Sequence, residues 1–334
     1  MTERSSDAPP SPNGATPPTA VVSLADVHRT FGETPALAGL SFEVPERTIT
    51  VLLGPNGAGK TTCTRVITGA LGPDSGRVRV FGLEPTVDGE EVRRRCGVVS
   101  AKPALYDRLS GMDNLIYAAE LYGLGRGQHA TDRIMAASDR FGIVGALDGQ
   151  VGGYSTGMKT RLALARSVLH EPDLLLYDEP TSGLDPESSY AVLELIREMT
   201  GDGNTVVMCT HLLLEAEGLA DQVVMLQDGE SLISGTPDSL VRQYWPDDTV
   251  VFDAEVRSRL SMLDGLPGVV RCEPGAAGVT VAVDRLDRVP DLVHALSAAG
   301  VRLTRVDVER HTLENLYFAV RRASGQNRIG EVHA

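Results

Sequence analysis

The chain has 334 residues, 42% hydrophobic and 23% charged, with a formal net charge of −14, the balance of a water-soluble globular protein with one large or two modest cores. No stretch approaches the roughly 18 consecutive apolar residues of a membrane-spanning helix, and the first residues lack the basic-then-apolar order of a secretory signal, so the expected location is the cytoplasm. The acidic total argues against a direct nucleic-acid partner, because proteins that neutralise phosphates carry a basic face.

Residues 1–20 are rich in Pro, Ser, Thr and Ala; they bury too little to offset ordering entropy and read as a disordered tail. Strand patterns at Val21-Val22-Ser23-Leu24 and Leu40-Ser41-Phe42-Glu43-Val44, with Phe31-Gly32 between them, predict a small β-subdomain. The apolar run Ile49-Thr50-Val51-Leu52-Leu53 leads into Gly54-Pro55-Asn56-Gly57-Ala58-Gly59-Lys60-Thr61-Thr62. This is a G-x-x-x-x-G-K-[ST] loop, and a helix is expected after it over residues 62–71. Glycines at 54, 57 and 59 let the loop curl so that its N–H groups, those of Asn56, Ala58 and Thr62 included, face inward, while the helix adds the positive end of its dipole. The matching ligand is a nucleotide polyphosphate, with Lys60 reaching the β- and γ-phosphates and Thr61 offering its hydroxyl to Mg²⁺. Of the three lysines, Lys60, Lys102 and Lys159, only Lys60 follows a glycine, so the chain holds one such loop. The four cysteines form no C-x-x-C pair and read as buried free thiols.

Between residues 111 and 147 apolar positions recur at helical spacing, which predicts an inserted helical subdomain. Two buried strands follow, Leu174-Leu175-Leu176-Tyr177 and Thr205-Val206-Val207-Met208-Cys209, separated by a helix expected over 188–199. Alternating strands and helices imply a mainly parallel sheet covered on both faces. The first of these strands ends in Asp178-Glu179, where Asp178 is placed to hold Mg²⁺ and Glu179 to polarise an attacking water; a solvated turn before Pro180 is the alternative. Beyond residue 245 the pattern reads β-α-β-β-α-β plus a closing helix over 313–320, the order of a ferredoxin-like split βαβ domain.

Tyr154-Ser155-Thr156-Gly157-Met158-Lys159 resembles the signature loop of ATP-binding cassette (ABC) ATPases. Pro180-Thr181-Ser182-Gly183-Leu184-Asp185 is similar to their D-loop, and His211, after Thr210, to their switch histidine. The resemblance runs over about residues 21–235 with the motifs in family order, and the ending Thr312-Leu313-Glu314-Asn315-Leu316-Tyr317 is similar to ATPase subunits of type-two ABC exporters, drug-efflux systems among them. It implies a P-loop NTPase cassette over 21–245, a mainly parallel sheet with an antiparallel β-subdomain and a helical subdomain at about 100–165. A small α+β ferredoxin-like domain over 246–322 and a tail over 323–334 complete the expected order. It further implies ATP and Mg²⁺ as cofactors, with Ser155, the Gly157 N–H and Asp185 completing the nucleotide site of a second cassette, identical or different, paired head to tail. His211 would contact the γ-phosphate, or is a satisfied structural residue; Phe31 would stack on adenine, or belongs to the core. A separate membrane permease would hold the chain peripherally on the cytoplasmic face of the cell membrane.

The sequence departs from the family pattern where a Mg²⁺-ligating glutamine is usual and Ala101 stands. Thr156 and Met158 replace a usual glycine and glutamine in the signature loop. The alternatives are a soluble non-transport cassette ATPase acting on nucleic acid or ribosomes, and a hydrolysis-poor, nucleotide-gated regulatory module. The C-terminal domain is expected to serve dimerisation or subunit specificity.

Overall fold

The computed structural model describes residues 20–323, so the tail readings for 1–20 and 323–334 lie outside it except at Ala20 and Ala323. Strand β1 (Ala20–Phe31) pairs antiparallel with β2 (Thr34–Pro45), and β3 (Ile49–Leu53) leaves this layer to lead into α1 (Lys60–Ile67). Strand β4 (Ser75–Val80) returns to β1 and completes a three-stranded antiparallel sheet in the order β2-β1-β4. Helix α2 (Gly89–Arg94) and β5 (Cys96–Val99) precede a helical unit of α3 (Gly111–Leu121), α4 (Gln128–Arg140) and α5 (Thr156–Ser167). The chain then runs through β6 (Leu174–Asp178), α6 (Pro186–Gly201), β7 (Thr205–Thr210), α7 (Leu213–Leu219), β8 (Gln222–Gln227), β9 (Glu230–Gly235) and α8 (Pro237–Tyr244).

The main sheet has six strands in the order β5-β6-β7-β3-β8-β9, parallel except for β9 at its edge. Every residue of β3, β6 and β7 is buried, which is why these strands read as near-continuous apolar runs rather than alternating ones. The two-residue period still divides their side chains between two cores. Leu52, Leu174, Leu176 and Val207 pack with α1 and the three-stranded sheet, whereas Val51, Leu53, Leu175, Tyr177 and Val206 pack with the helical unit and α6.

Side-chain caps set several helix starts by accepting from first-turn N–H groups. Ser110 accepts from Asp113, Ser155 from Met158, Asp185 from Ser188 and Thr236 from Ser239. In α6 and α8 a proline follows the cap, where its fixed φ suits the first helical position and its missing N–H leaves no bond unmade. Helix α1 begins at Lys60 and ends at Ile67, not over 62–71, so Lys60 and Thr61 stand on its first turn.

Residues 248–309 build a separate antiparallel sheet from β10 (Asp248–Ala254), β11 (Val269–Gly275), β12 (Gly278–Val283) and β13 (Leu303–Glu309), in the order β11-β12-β10-β13. Val250, Phe252, Val281 and Leu296 form its own core with α9 (Val289–Ala298). The first helix of the expected β-α-β-β-α-β order is a 3-10 segment, Arg257–Gly265. The closing helix α10 (Leu313–Ala323) departs from the expected order in a different way. Its apolar stripe of Leu313, Leu316 and Val320, spaced to fall on one helical face, joins the core of the main sheet and packs on α7 and α8 rather than on the C-terminal sheet.

Leu316 is fully buried at that contact. Leu316→Ala is expected to lower unfolding free energy by about 2–5 kcal/mol in guanidinium titration, while Phe318→Ala, at a position 47% exposed on the same helix, is expected to change it by about 0.5 kcal/mol or less.

Candidate functional site

The parallel register carries the carboxyl ends of β3, β6 and β7 to one edge of the sheet. Leu53 lies opposite Thr210 and Asp178 opposite Cys209, so the Gly54–Thr62 loop, the Asp178-Glu179 pair and His211 all emerge side by side. In doubly wound sheets this edge is where ligands bind.

Two glycines of the loop are held by close backbone approach. Gly59, at φ 103°, has the Ala36 carbonyl oxygen 2.6 Å from where a Cβ would stand, and a Cβ on Gly54 would run into the Leu226 carbonyl oxygen. Asn56 and Gly57 are exposed at the loop's tip, while Ala58 is buried beneath it and Thr62 is half-buried on α1.

Lys60 Nζ donates to the carbonyl oxygens of Gly54 at 2.6 Å and Pro55 at 3.2 Å, and lies 3.3 Å from Glu179 Oε1. Both side chains are largely withdrawn from solvent, Lys60 at 6% and Glu179 at 13% exposure, so each charge depends on the other for compensation. The other Glu179 oxygen, Oε2, is 2.8 Å from His211 Nδ1. A proton on Nδ1 satisfies that contact and leaves Nε2 for another partner. Glu179 is thus tied between a lysine and a histidine, and its Oε1 accepts no hydrogen bond from any described residue. Its backbone is left-handed at φ 51° and its N–H donates to the Cys209 carbonyl at 2.9 Å. That conformation costs a non-glycine residue about 1 kcal/mol and turns the chain sharply where β6 ends.

Asp178 is buried, and Thr61 Oγ1 donates to its Oδ2 at 2.6 Å. Burial pushes the Asp178 carboxyl above the usual carboxylate range, with the Thr61 hydrogen bond pulling the other way. The hydroxyl and the carboxylate form a compact pair of hard oxygens, a donor type suited to a small divalent cation. Nearby Cys63 and Cys209 are buried free thiols; burial lifts the Cys209 thiol to about 12, which leaves it unreactive.

The remaining predicted residues form other groups. Ser155 and Asp185 are the N-caps of α5 and α6, and Gly157, on the first turn of α5, faces Leu184 and Ser188. Hydrogen bonds to Ser188 hold the Asp185 carboxyl below its usual range. Among the described residues no hydrogen bond joins this group to the phosphate loop. Phe31 is 47% exposed at the turn closing the β1–β2 hairpin, belongs to neither core, and has the Arg29 guanidinium 5.1 Å from its ring centroid.

Sequence reasoning missed a cleft of about 800 Å³ behind the Thr61–Asp178 pair, lined also by Arg65, Ser100, Tyr106, Tyr117 and Arg166. The loop after β5 presents Ser100 to this cleft, and Ala101 is not part of its wall. These residues come from α1, the β5 loop, α3 and α5, and no local pattern links them.

Residues 37–182 match the family model described as ABC transporter. Over 299 residues the chain is 34% identical to the daunorubicin resistance ATP-binding protein DrrA3 of Streptomyces coeruleorubidus, an alignment covering 89% of this chain and 94% of that one. The chain belongs to the ABC transporter ATP-binding proteins. This ABC ATPase is also 32% identical to a Nod factor export ATP-binding protein I from Rhizobium sp. (strain N33), over 84% of its own length and 91% of the relative's. Among solved structures it resembles an ATP-binding subunit of an ABC transporter, with a TM-score of 0.61, 30% identity and coverage of 67% of this chain and 93% of that one. The cassette therefore binds and hydrolyses ATP as a member of this family.

Because the Ala36 carbonyl leaves no room at Gly59, Gly59→Ala forces the loop open. ATP affinity is expected to fall at least about tenfold, measured by equilibrium titration with a fluorescent ATP analogue.

Proposed function

We propose that this chain is the motor subunit of an exporter, a cytoplasmic cassette that works in pairs on a separate membrane permease. The observation that carries the reading is Glu179 held between Lys60 and His211 at the mouth of the phosphate loop. Lys60 would exchange the Gly54 and Pro55 carbonyls for the β- and γ-phosphates, leaving the Glu179 carboxylate free to accept a proton from the attacking water. His211, steadied through Nδ1 by Glu179, would direct Nε2 at the γ-phosphate. Thr61 and Asp178 fit Mg²⁺, which takes only one or two protein oxygens and fills its remaining positions with water and phosphate. Mg²⁺ there would neutralise charge on the phosphates. Ala101, with no side-chain oxygen, would supply no ligand to the ion.

The separation of Ser155, Gly157 and Asp185 from the phosphate loop supports pairing with a second cassette, identical or related. Head to tail, the first turn of α5 would bring its free N–H groups and the Ser155 hydroxyl to the partner's γ-phosphate. ATP then acts as the joint between the two copies, and hydrolysis releases it. The cleft behind Thr61 and Asp178 suits a segment of the permease, because an occupant there would lie against the residues that would hold the metal. Among the described residues no helix is long and apolar enough to cross a membrane, and a membrane partner supplies that part. The names of the relatives, drug resistance and Nod factor export, support outward transport.

The test is Mg²⁺-dependent ATP hydrolysis by the chain reconstituted with its permease in liposomes, beside Glu179→Gln. Expected are stimulation by the permease and a loss of about 10²–10⁴-fold in the variant with ATP binding retained. Turnover that survives Glu179→Gln, or that ignores the permease, would overturn the proposal.

A further inference from the structure

A second cleft, of about 610 Å³, lies away from the phosphate loop, where α7, α8 and the segment after α8 meet the end of β13. Trp245, the chain's single tryptophan, lines it together with His311, and the two rings stack with centroids 4.1 Å apart and planes 13° from parallel. Burial holds the His311 imidazole below its ordinary range, so the stacked pair presents an uncharged aromatic surface at neutral pH. Its Nε2 is buried and has no hydrogen-bond partner among the described residues. Leu286 and Val308, 40% and 42% exposed, add apolar wall.

The charged part of the lining is lopsided. Five carboxylates face two guanidiniums, a surplus of three negative charges. Asp248 is committed to Arg242 at 2.9 Å, whereas Glu217, Asp238, Asp247 and Glu309 make no ion pair with any described residue. Unpaired carboxylates around a recessed aromatic surface raise the local concentration of cations, and field lines focus in such clefts. The aromatic faces then select among cations, since a weakly hydrated organic cation gains from contact with a π-face and a strongly hydrated metal ion does not. The carboxylates do not converge on a metal position, as the described residues contain no group of three ligands that could hold one. A polyanion is excluded by the charge.

We propose that this cleft binds an apolar organic cation, a bulky hydrophobic molecule with one delocalised or partly shielded positive charge. Its place in the fold gives an occupant leverage on the nucleotide site. Glu217 belongs to α7, which begins at Leu213, directly beyond the Leu212 that follows His211, and Leu313 of α10 both lines the cleft and joins the core against α7 and α8.

The test uses the full chain and tetraphenylphosphonium, with tetraphenylborate as an anion of nearly the same shape. Calorimetric titration reports binding, and Trp245 fluorescence, free of any other tryptophan, reports where it occurs. Expected are one site per chain for the cation, a saturable Trp245 change at the same concentrations, and no saturable change with tetraphenylborate. The double variant Asp247→Asn, Glu309→Gln, which alters two unpaired side chains, is expected to weaken binding at least about tenfold. No binding heat at two temperatures, heat without a Trp245 response, equal response to the anion, or unchanged affinity in the double variant would each overturn the proposal.

Discussion

Strands buried on both faces carry no charge until they end, and that constraint organises the nucleotide site. Strands β3, β6 and β7 spend their whole length in apolar contact, so polar groups collect where the strands leave the sheet. Parallel pairing places all three exits at the same edge, and the register aligns them within one residue pair. The phosphate loop, the two carboxylates and the histidine are neighbours for this reason, although about 150 residues separate Lys60 from His211. The same alternation that sends Leu52 to one core and Val51 and Leu53 to the other keeps the edge rigid, which electrostatic catalysis requires.

Under the proposed pairing, helix starts would form the other half of the chemistry. Ser155 and Asp185 cap α5 and α6, and a cap satisfies one first-turn N–H while leaving others free. Those free donors are useful to a phosphate only if something brings it to them. Under the proposed head-to-tail pairing each copy supplies one loop and one capped helix, so nucleotide binding and assembly become one event. The left-handed Glu179 is part of the same economy of position: it spends a little backbone strain to turn its carboxylate between Lys60 and His211.

The C-terminal sheet has its own core, yet the chain does not end there. Helix α10 crosses back to the main body and buries Leu316 against α7 and α8, so the C-terminal sheet is bracketed by α8 before it and α10 after it. That bracket creates the cleft holding Trp245 and His311. Both brackets reach the main body: α8 packs on β9, and α10 packs on α7 and α8.

The phosphate loop, the Asp178-Glu179 strand end and the signature loop were all legible in the sequence, because each is a short segment whose backbone demands particular residues: glycine for close approach, a hydroxyl or carboxylate for a cap, an apolar run for a buried strand. Strand and helix order in the C-terminal part was legible for the same reason, although 257–265 formed a 3-10 segment and α1 began two residues earlier than its periodicity suggested. Phe31 could not be placed from its neighbours, since an aromatic beside a glycine suits a core and a surface equally well; the structure leaves it exposed. Tertiary structure alone decided that Lys60 pairs with Glu179, that Glu179 pairs with His211, and that Ser100 rather than Ala101 lines the cleft behind Asp178. It also decided which body α10 joins. An amphipathic stripe records that a helix has a buried face and is silent about the surface that buries it, because local pattern encodes the burial and only the packed chain supplies the partner.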